Sequence, residues 1–345
     1  MKLAKKIIKN FMKADYFKVI RGGINSTFQD QGRKNLYHIG IPFSGVMDNR
    51  NYLIANKLID NNTHDPILEF AIQGPCLKYF GNKRNIVITG DVNFILIRNQ
   101  NNQEKGECYK TTEINNGDII DIISTNKSVY GYFSVSGGFK LNKVWDSFST
   151  TLRAKVGPNN GNKLIDGQEI ALNRTRSVTN RKLNIINTKI EFIRVLKGTN
   201  FDYFSKDSIN NFFSKDFEVT KLTDRMGMRL KGVKLNNIKN TNIKSEGLVK
   251  GVIQIPADGN PIILLSDHGT IGGYPKFGVI ASADYDKLVQ IPPGSKIRFK
   301  EVTLKDAENL YKLYDMETIN ILNKIIWIQK LKNYSKKKIN LKLFV

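Results

Sequence analysis

Four polar strings hold side chains whose types and spacing can do chemistry. The first, QDQGRKNLYHIGIPFSGVMD at 29–48, carries Asp30 and Arg33 on either side of Gly32, then Ser44, Gly45 and Asp48. The second, LEFAIQGP at 68–75, sets Glu69 between Leu68 and Phe70. The third, TDRMGMRL at 223–230, places Asp224 beside Arg225, with Gly227 free to turn tightly. The fourth and densest, residues 245–278, holds Ser245, Glu246, Gln254, Asp267, His268, Thr270, Gly272, Gly273, Tyr274 and Lys276. Carboxylates in such places move protons or accept a substrate N–H, and arginine and lysine hold carboxylate or phosphate. Two successive glycines let main-chain N–H groups face an oxyanion. Each string also has a plain structural reading. Asp30 and Arg33 can clamp a turn by pairing with each other, Glu69 lies either on a solvated face or partnered in a cleft, and a loop can need its glycines for geometry alone. In a strand, Asp224 and Arg225 would point to opposite faces.

Other chemistries are excluded by inspection. No GxxxxGK[ST] loop and no GxGxxG turn is present, so neither a P-loop nor a Rossmann dinucleotide site is encoded. His38, His64 and His268 lack metal-ligand spacing, and no metal is expected. A biotin-bearing lysine sits in an AMKM-like turn. The nearest string, FMKA at 11–14, falls in the basic N-terminal extension, so no biotin is expected on this chain.

The elements that must position these residues read as mostly β. Short runs rich in Ile, Val, Phe and Tyr, such as NIVITGDVNFILI at 85–97, VYGYFSVSGGF at 129–139 and PIILLSD at 261–267, are separated by Gly, Asn and Asp. Helical stretches are predicted at 48–59, opened by Asp48 as a cap, and at 201–213. After Val302 the apolar residues recur three or four apart, with Thr303 as N-cap. This gives a basic extension at 1–14, a lobe at 15–172, a polar linker at 173–184, a second lobe at 185–303, and a C-terminal helix with basic tail at 304–345. The formal charge is +23, of which residues 1–20 hold +5 and residues 319–345 hold +7. The rest is spread without a basic block or interleaved aromatics, so no specific nucleic-acid binding is expected. No apolar run reaches the roughly 18 residues of a membrane span. The basic start lacks the apolar segment of a secretory signal, and the two cysteines, Cys76 and Cys108, read as reduced thiols of a cytoplasmic protein.

In order, QDQGR, GIPFSGVMD, ANKL, LEF with GP, TGD, SGGF, DRMGMRL, SEG, IQIPADGNPI, GGYPKFG and PPGSKIRF resemble the biotin-dependent carboxyltransferase family over about residues 17–303. Its members include allophanate-hydrolase subunit 2 domains and the C-type subunit of the bacterial 5-oxoprolinase. The resemblance implies two cyclophilin-like β-barrel lobes and a heteromeric complex with homologues of that enzyme's A-type and B-type subunits. The leading activity it implies is ATP-dependent opening of 5-oxo-L-proline to L-glutamate, with ATP as co-substrate of the complex. Carboxyl transfer from a biotin carrier to urea or another amide is the alternative, and a non-catalytic regulator that binds the B-type homologue is a third. On this reading Asp48, Glu69, Asp224 and Asp267 move protons or bind a substrate N–H, and Arg33, Arg225 and Lys276 hold carboxylate or phosphate. Asp30, Ser44, Glu246, Gln254, Thr270 and Tyr274 complete a pocket for a small amide or lactam, closed by the backbone of Gly272 and Gly273. The sequence departs from the family at DSFST, where Phe148 stands for a usual arginine, and at DHGTIGGYP, where Gly269 and Ile271 replace an amide and a hydroxyl.

Overall fold

Strand formation follows the β-branched and aromatic runs, and the burial pattern of each strand tells how many of its faces are covered. The computed structural model describes residues 14–98, 102–175, 180–184, 191–239 and 243–342, with the side chains of the last helix placed as far as Ile325. The N-terminal half contributes β1 (Tyr16–Arg21), β2 (Thr27–Gln29), β3 (Ile67–Ala71), β4 (Cys76–Phe80), β5 (Arg84–Thr89), β6 (Val92–Ile97), β7 (Gln103–Lys105), β8 (Thr112–Ile114), β9 (Ile119–Thr125), β10 (Tyr130–Val135) and β11 (Glu169–Ala171). They form a six-stranded sheet, β11-β1-β4-β9-β6-β7, and a five-stranded sheet, β2-β3-β10-β5-β8. In the first, β6 alternates buried and half-buried residues, as a sheet with one solvated face must.

The second sheet is different. Every residue of β3, β5 and β10 is buried, so both its faces are covered. Leu68, Phe70, Phe133 and Val135 pack into the core of the N-terminal half. Ile67, Ala71, Tyr130 and Tyr132, on the other face, join a core shared with the C-terminal half. Glu69 alternates with Leu68 and Phe70 and so lies on that shared face, directly opposite Tyr132 in the β3–β10 register. Helix α1 (Asn49–Leu58) covers the same face, with Tyr52, Ile54, Ala55 and Leu58 in the shared core.

The C-terminal half holds β12 (Ile193–Lys197), β13 (Phe217–Val219), β14 (Gly227–Lys231), β15 (Glu246–Gly247), β16 (Val252–Gln254), β17 (Ile262–Leu264), β18 (Ile271–Gly272), β19 (Lys276–Ile280), β20 (Lys296–Ile297) and β21 (Phe299–Glu301). Eight of these form one sheet in the order β20-β13-β14-β17-β16-β19-β12-β21, and β15 pairs with β18 as a separate ribbon. The sheet's two end strands, β20 and β21, are separated in the chain by Arg298 alone, so the sheet curls into a nearly closed barrel. Helix α2 (Lys206–Ser214) packs against it, with Ser208 and Phe212 as its buried residues. Phe212 is fully buried with its ring centroid 4.5 Å from Phe299, 4.4 Å from Phe277 and 5.5 Å from Phe217, touching β21 at one end of the sheet, β13 next to the other end, and β19 between them. The helix expected over 201–213 is shorter than that. A 3-10 turn at Phe201–Tyr203 ends at Phe204, and Ser205 opens α2 by accepting the Ser208 N–H at 3.1 Å. A serine placed to cap outcompetes helix continuity there.

A short helix α3 (Tyr285–Val289) precedes β20, and α4 (Leu304–Lys342) begins with Thr303 accepting the Asp306 N–H at 3.2 Å. Ala307, Thr318 and Ile325 of α4 are buried. No described helix is long and apolar enough to cross a membrane, and both cysteines are free. Residues 1–13 of the basic extension lie outside the described residues, as do residues 176–179 of the segment read as a polar linker. The rest of that segment is firmly held. The Arg181 guanidinium, 3% exposed, donates to the Lys57 carbonyl at 2.9 Å and pairs with Asp60, and Leu183 joins the shared core. Replacing Phe212 with Ala removes the ring that links β13, β19 and β21. We expect a loss of about 3–5 kcal/mol in unfolding free energy by denaturant titration.

Candidate active site at the seam between the halves

The shared core is crossed by a buried ion cluster. Arg225, in the turn before β14, donates from Nε and Nη2 to Asp267 at 2.9 and 3.0 Å, pairs through Nη1 with Glu69, and reaches the Gly45 carbonyl through Nη2 at 2.6 Å. All three charged side chains are less than a tenth exposed. Burial opposes the Arg225 charge, and the two carboxylates overcome it, holding the guanidinium well above its ordinary range. Burial pushes Glu69 up, against Arg225 and the Met47 N–H, which donates to it at 2.7 Å. The cluster joins strand β3 of one half to the β14 and β17 ends of the other, so it pins the seam.

From Glu69 a hydrogen-bonded path continues to Asp48. Tyr132 lies beside Glu69, and its hydroxyl accepts the Asp48 N–H at 2.7 Å. Asp48 caps α1 as the sequence predicts, accepting from Asn51 N at 2.9 Å, from Asn51 Nδ2 at 2.7 Å and from Gln290 Nε2 at 2.9 Å. Asp286 of α3 caps the same helix end from the opposite half, accepting from Asn49 N at 3.1 Å and Arg50 N at 3.0 Å. Burial, reinforced by the Asp286 carboxylate, pushes Asp48 up to about 7. Asp48 and Asp286 line a recess of about 750 Å³ together with Asn51, Tyr109, Gln290 and Tyr314.

On the double-glycine side of the C-terminal half, a second polar group assembles. Lys276, 7% exposed, pairs with Glu246, and Glu246 stands opposite Gly272 in the β15–β18 ribbon. Gln254 donates to the Tyr274 carbonyl at 3.3 Å. A side chain on Gly272 would collide with Leu248 and Gln254, 2.8 and 3.0 Å from an added Cβ, so the close approach itself requires glycine. Thr270 is buried and its carbonyl accepts the Leu248 N–H at 3.0 Å, whereas Tyr274 is 42% exposed. The 36–45 loop of the other half leans on this group. Tyr37 stacks on Phe43 with centroids 5.0 Å apart, meets the His268 ring edge-on at 6.1 Å and donates to the Leu248 carbonyl.

The predicted residues therefore fall into four groups rather than one cavity, with Asp30, Arg33 and Ser44 gathered on the 147–151 segment, and Asp224 stands apart from all four. Glu69, Arg225 and Asp267 form the buried pin; Glu246, Gln254, Thr270, Gly272, Gly273, Tyr274 and Lys276 surround the glycine turn; Asp48 lines the recess. Asp30 and Arg33 do not pair with each other. Asp30 accepts from the Ser147 hydroxyl at 2.7 Å, the Ser149 hydroxyl at 2.6 Å, the Phe148 N–H at 2.7 Å and the Gly32 N–H at 2.9 Å. Arg33 donates to Thr151 Oγ1 at 3.2 Å and to the Ser149 carbonyl, and Ser44 shares a 2.6 Å hydrogen bond with the same Thr151 hydroxyl. Both charges are thus committed to the 147–151 segment, whose hydroxyls and N–H groups satisfy each more completely than one turn residue satisfies another. Burial lowers the Arg33 pKa, offset in part by Asp30 and Asp267, and its Nε has no hydrogen-bond partner. Asp224 is exposed, and its carboxylate accepts the Met226 and Gly227 N–H groups at 2.8 and 3.1 Å, which fixes the turn that aims Arg225 inward. Tyr132, Asp286 and Gln290 are missing from the sequence reading. Tyr132 is signalled only by its place in an alternating strand, and the other two by nothing local.

The sequence profile described as carboxyltransferase domain, subdomain A and B, matches residues 39–301. The C-type 5-oxoprolinase subunit of Haemophilus influenzae is 29% identical over 286 residues, covering 83% of this chain and 91% of its own. Its Escherichia coli counterpart is 29% identical over 298 residues, 84% of this chain and 92% of its own. Among solved structures, the Kluyveromyces lactis urea carboxylase superposes with a TM-score of 0.82 at 26% identity over 93% of this chain. This chain spans only 30% of that enzyme's length.

Two outcomes test the seam. Arg225→Ala strands two carboxylates in the core and lowers stability by about 3–5 kcal/mol, and Glu69→Gln added to it restores part of that loss, as read from urea unfolding. The folded chain holds the Asp48 proton more tightly than the unfolded chain, so this contribution is fully present below about pH 4 and is lost as pH rises through about 7. Stability therefore declines over that window more steeply in the wild type than in Asp48→Asn; parallel pH profiles would contradict the assignment.

Proposed function

Because the chain belongs to the family of carboxyltransferase domains with subdomains A and B, we propose that it is the C-type subunit of a cytoplasmic 5-oxoprolinase complex. The complex would open 5-oxo-L-proline to L-glutamate with ATP as co-substrate, in company with A-type and B-type homologues. The observation that carries this reading is the Lys276–Glu246 pair at the glycine turn, a buried cation with a half-exposed partner carboxylate. Entry of a substrate carboxylate or phosphate displaces Glu246 from Lys276 and leaves Glu246 free to accept a lactam N–H. The N–H groups of Gly272 and Gly273 border the same space and suit an oxyanion. ATP would pass its γ-phosphoryl group to the lactam carbonyl oxygen, releasing ADP as the lactam N–H gives up its proton; water then adds to the imidate carbon, the ring C–N bond breaks as the nitrogen is protonated, and a second water releases phosphate from the resulting acyl phosphate. Glu69, Arg225 and Asp267 serve as positioning residues beneath the site. The match to the Haemophilus influenzae protein over 91% of its length supports the C-type role.

Carboxyl transfer from a partner's biotin to an amide is the second reading, favoured by the likeness to the urea carboxylase over 93% of this chain. A biotin carboxylase and carrier encoded beside this chain would select it, and an A-type homologue would select lactam opening.

The test is ATP-dependent glutamate release from 5-oxoproline by this chain copurified with its A-type and B-type partners. Lys276→Ala lowers the rate by about 100-fold or more, and Glu246→Gln lowers it less because the amide still accepts a hydrogen bond. Full rate in Lys276→Ala would remove the glycine-turn site from the mechanism.

A further inference from the structure

The recess beside Asp48 is a second built site, and its chemistry is separate from that of the glycine turn. Its apolar wall is Ile54, Phe192, Ile291, Pro292 and Ile297, drawn from α1, β20 and the segments flanking α3 and β12. At about 750 Å³ it is the size of recesses that enclose small organic molecules. The polar groups of its floor are committed to one another. The Tyr109 hydroxyl donates to Asn51 Oδ1 at 2.7 Å, and Asp48 is covered by its three donors. Asp286 accepts two helix N–H groups and the Tyr314 hydroxyl. At the mouth, Asp91 accepts from Asn126 Nδ2 at 2.8 Å and Lys127 N at 3.0 Å, Arg50 is bound to α4, and Arg298 pairs with Asp216 at 2.8 Å.

The side chains with hydrogen-bonding capacity left for a ligand are therefore those of the rim, since the oxygens of Asp91 and Asp286, though charged, are already occupied by donors. Lys127, Lys287 and Lys296 are exposed there with no ion-pair partner among the described residues, against Glu191 as the rim acid without one. We propose that this recess binds a small organic anion with an apolar or aromatic body, the body against the Ile54–Phe192–Ile297 wall and the anionic group among the three lysines. The site lies at the end of the Tyr132–Glu69–Arg225 path, so an occupant rests on the seam itself. This inference does not rest on the lactam-opening reading.

The probe is 8-anilinonaphthalene-1-sulfonate, titrated by fluorescence against the full chain, with uncharged N-phenyl-1-naphthylamine as its neutral counterpart. The sulfonate is expected to bind saturably at one site per chain. Lys287→Glu combined with Lys296→Glu is expected to weaken it about tenfold or more while leaving the neutral probe unchanged. Unaltered sulfonate binding in the double variant, equal loss of both probes, or binding at several sites without saturation would each overturn the proposal.

Discussion

A guanidinium buried between two carboxylates cannot be left half satisfied, and much of this molecule is arranged around that demand. Arg225 takes one carboxylate from each half of the chain and a carbonyl from the loop that leads into α1. Removing either half would leave a charge in apolar surroundings, where its cost is several times what an exposed charge pays. The two halves are therefore joined by an electrostatic requirement as well as by shared apolar burial. Tyr130 lies beside Arg225 and Tyr132 beside Glu69, and both belong to the shared core.

The first helix repeats the same logic at its end. Its N-terminal N–H groups are met by Asp48 from its own half and Asp286 from the other, and Gln290 ties Asp48 to the backbone of β10 by accepting the Val129 and Tyr130 N–H groups at 3.2 and 2.9 Å. Helix-end donors are thus satisfied across the seam rather than within one half. Arg50, the second residue of α1, carries this order to α4 through Thr318 at 3.0 Å and a cation–π contact of 4.2 Å with Tyr314. The recess lies where these three helices and the barrel edge fail to fill space.

The mostly-β character and the cap at Asp48 were legible because both are local. Alternation exposes strands, and a helix start needs an acceptor just before it. Glu69 was half legible: its place between Leu68 and Phe70 left two faces open, and only the second covered face of its sheet decides between them. Asp286 and Gln290 were not legible, since their partners lie more than two hundred residues away. Proximity in sequence misled in the case of Asp30 and Arg33, because the 147–151 segment competes for both, and in the case of Asp224, whose carboxylate serves the turn next to it. A motif shows that residues are polar together; which of them face one space is set by pairings between distant strands.

The barrel's last two strands have a consequence for how the chain is made. β12 waits for its parallel neighbour β21 about a hundred residues downstream, and β13 waits for β20, just before it. On a ribosome, both edges of the growing sheet stay open until residues 296–301 emerge, and then close within a few residues of each other. During that interval the unpaired edges are where this chain is most exposed to pairing with another.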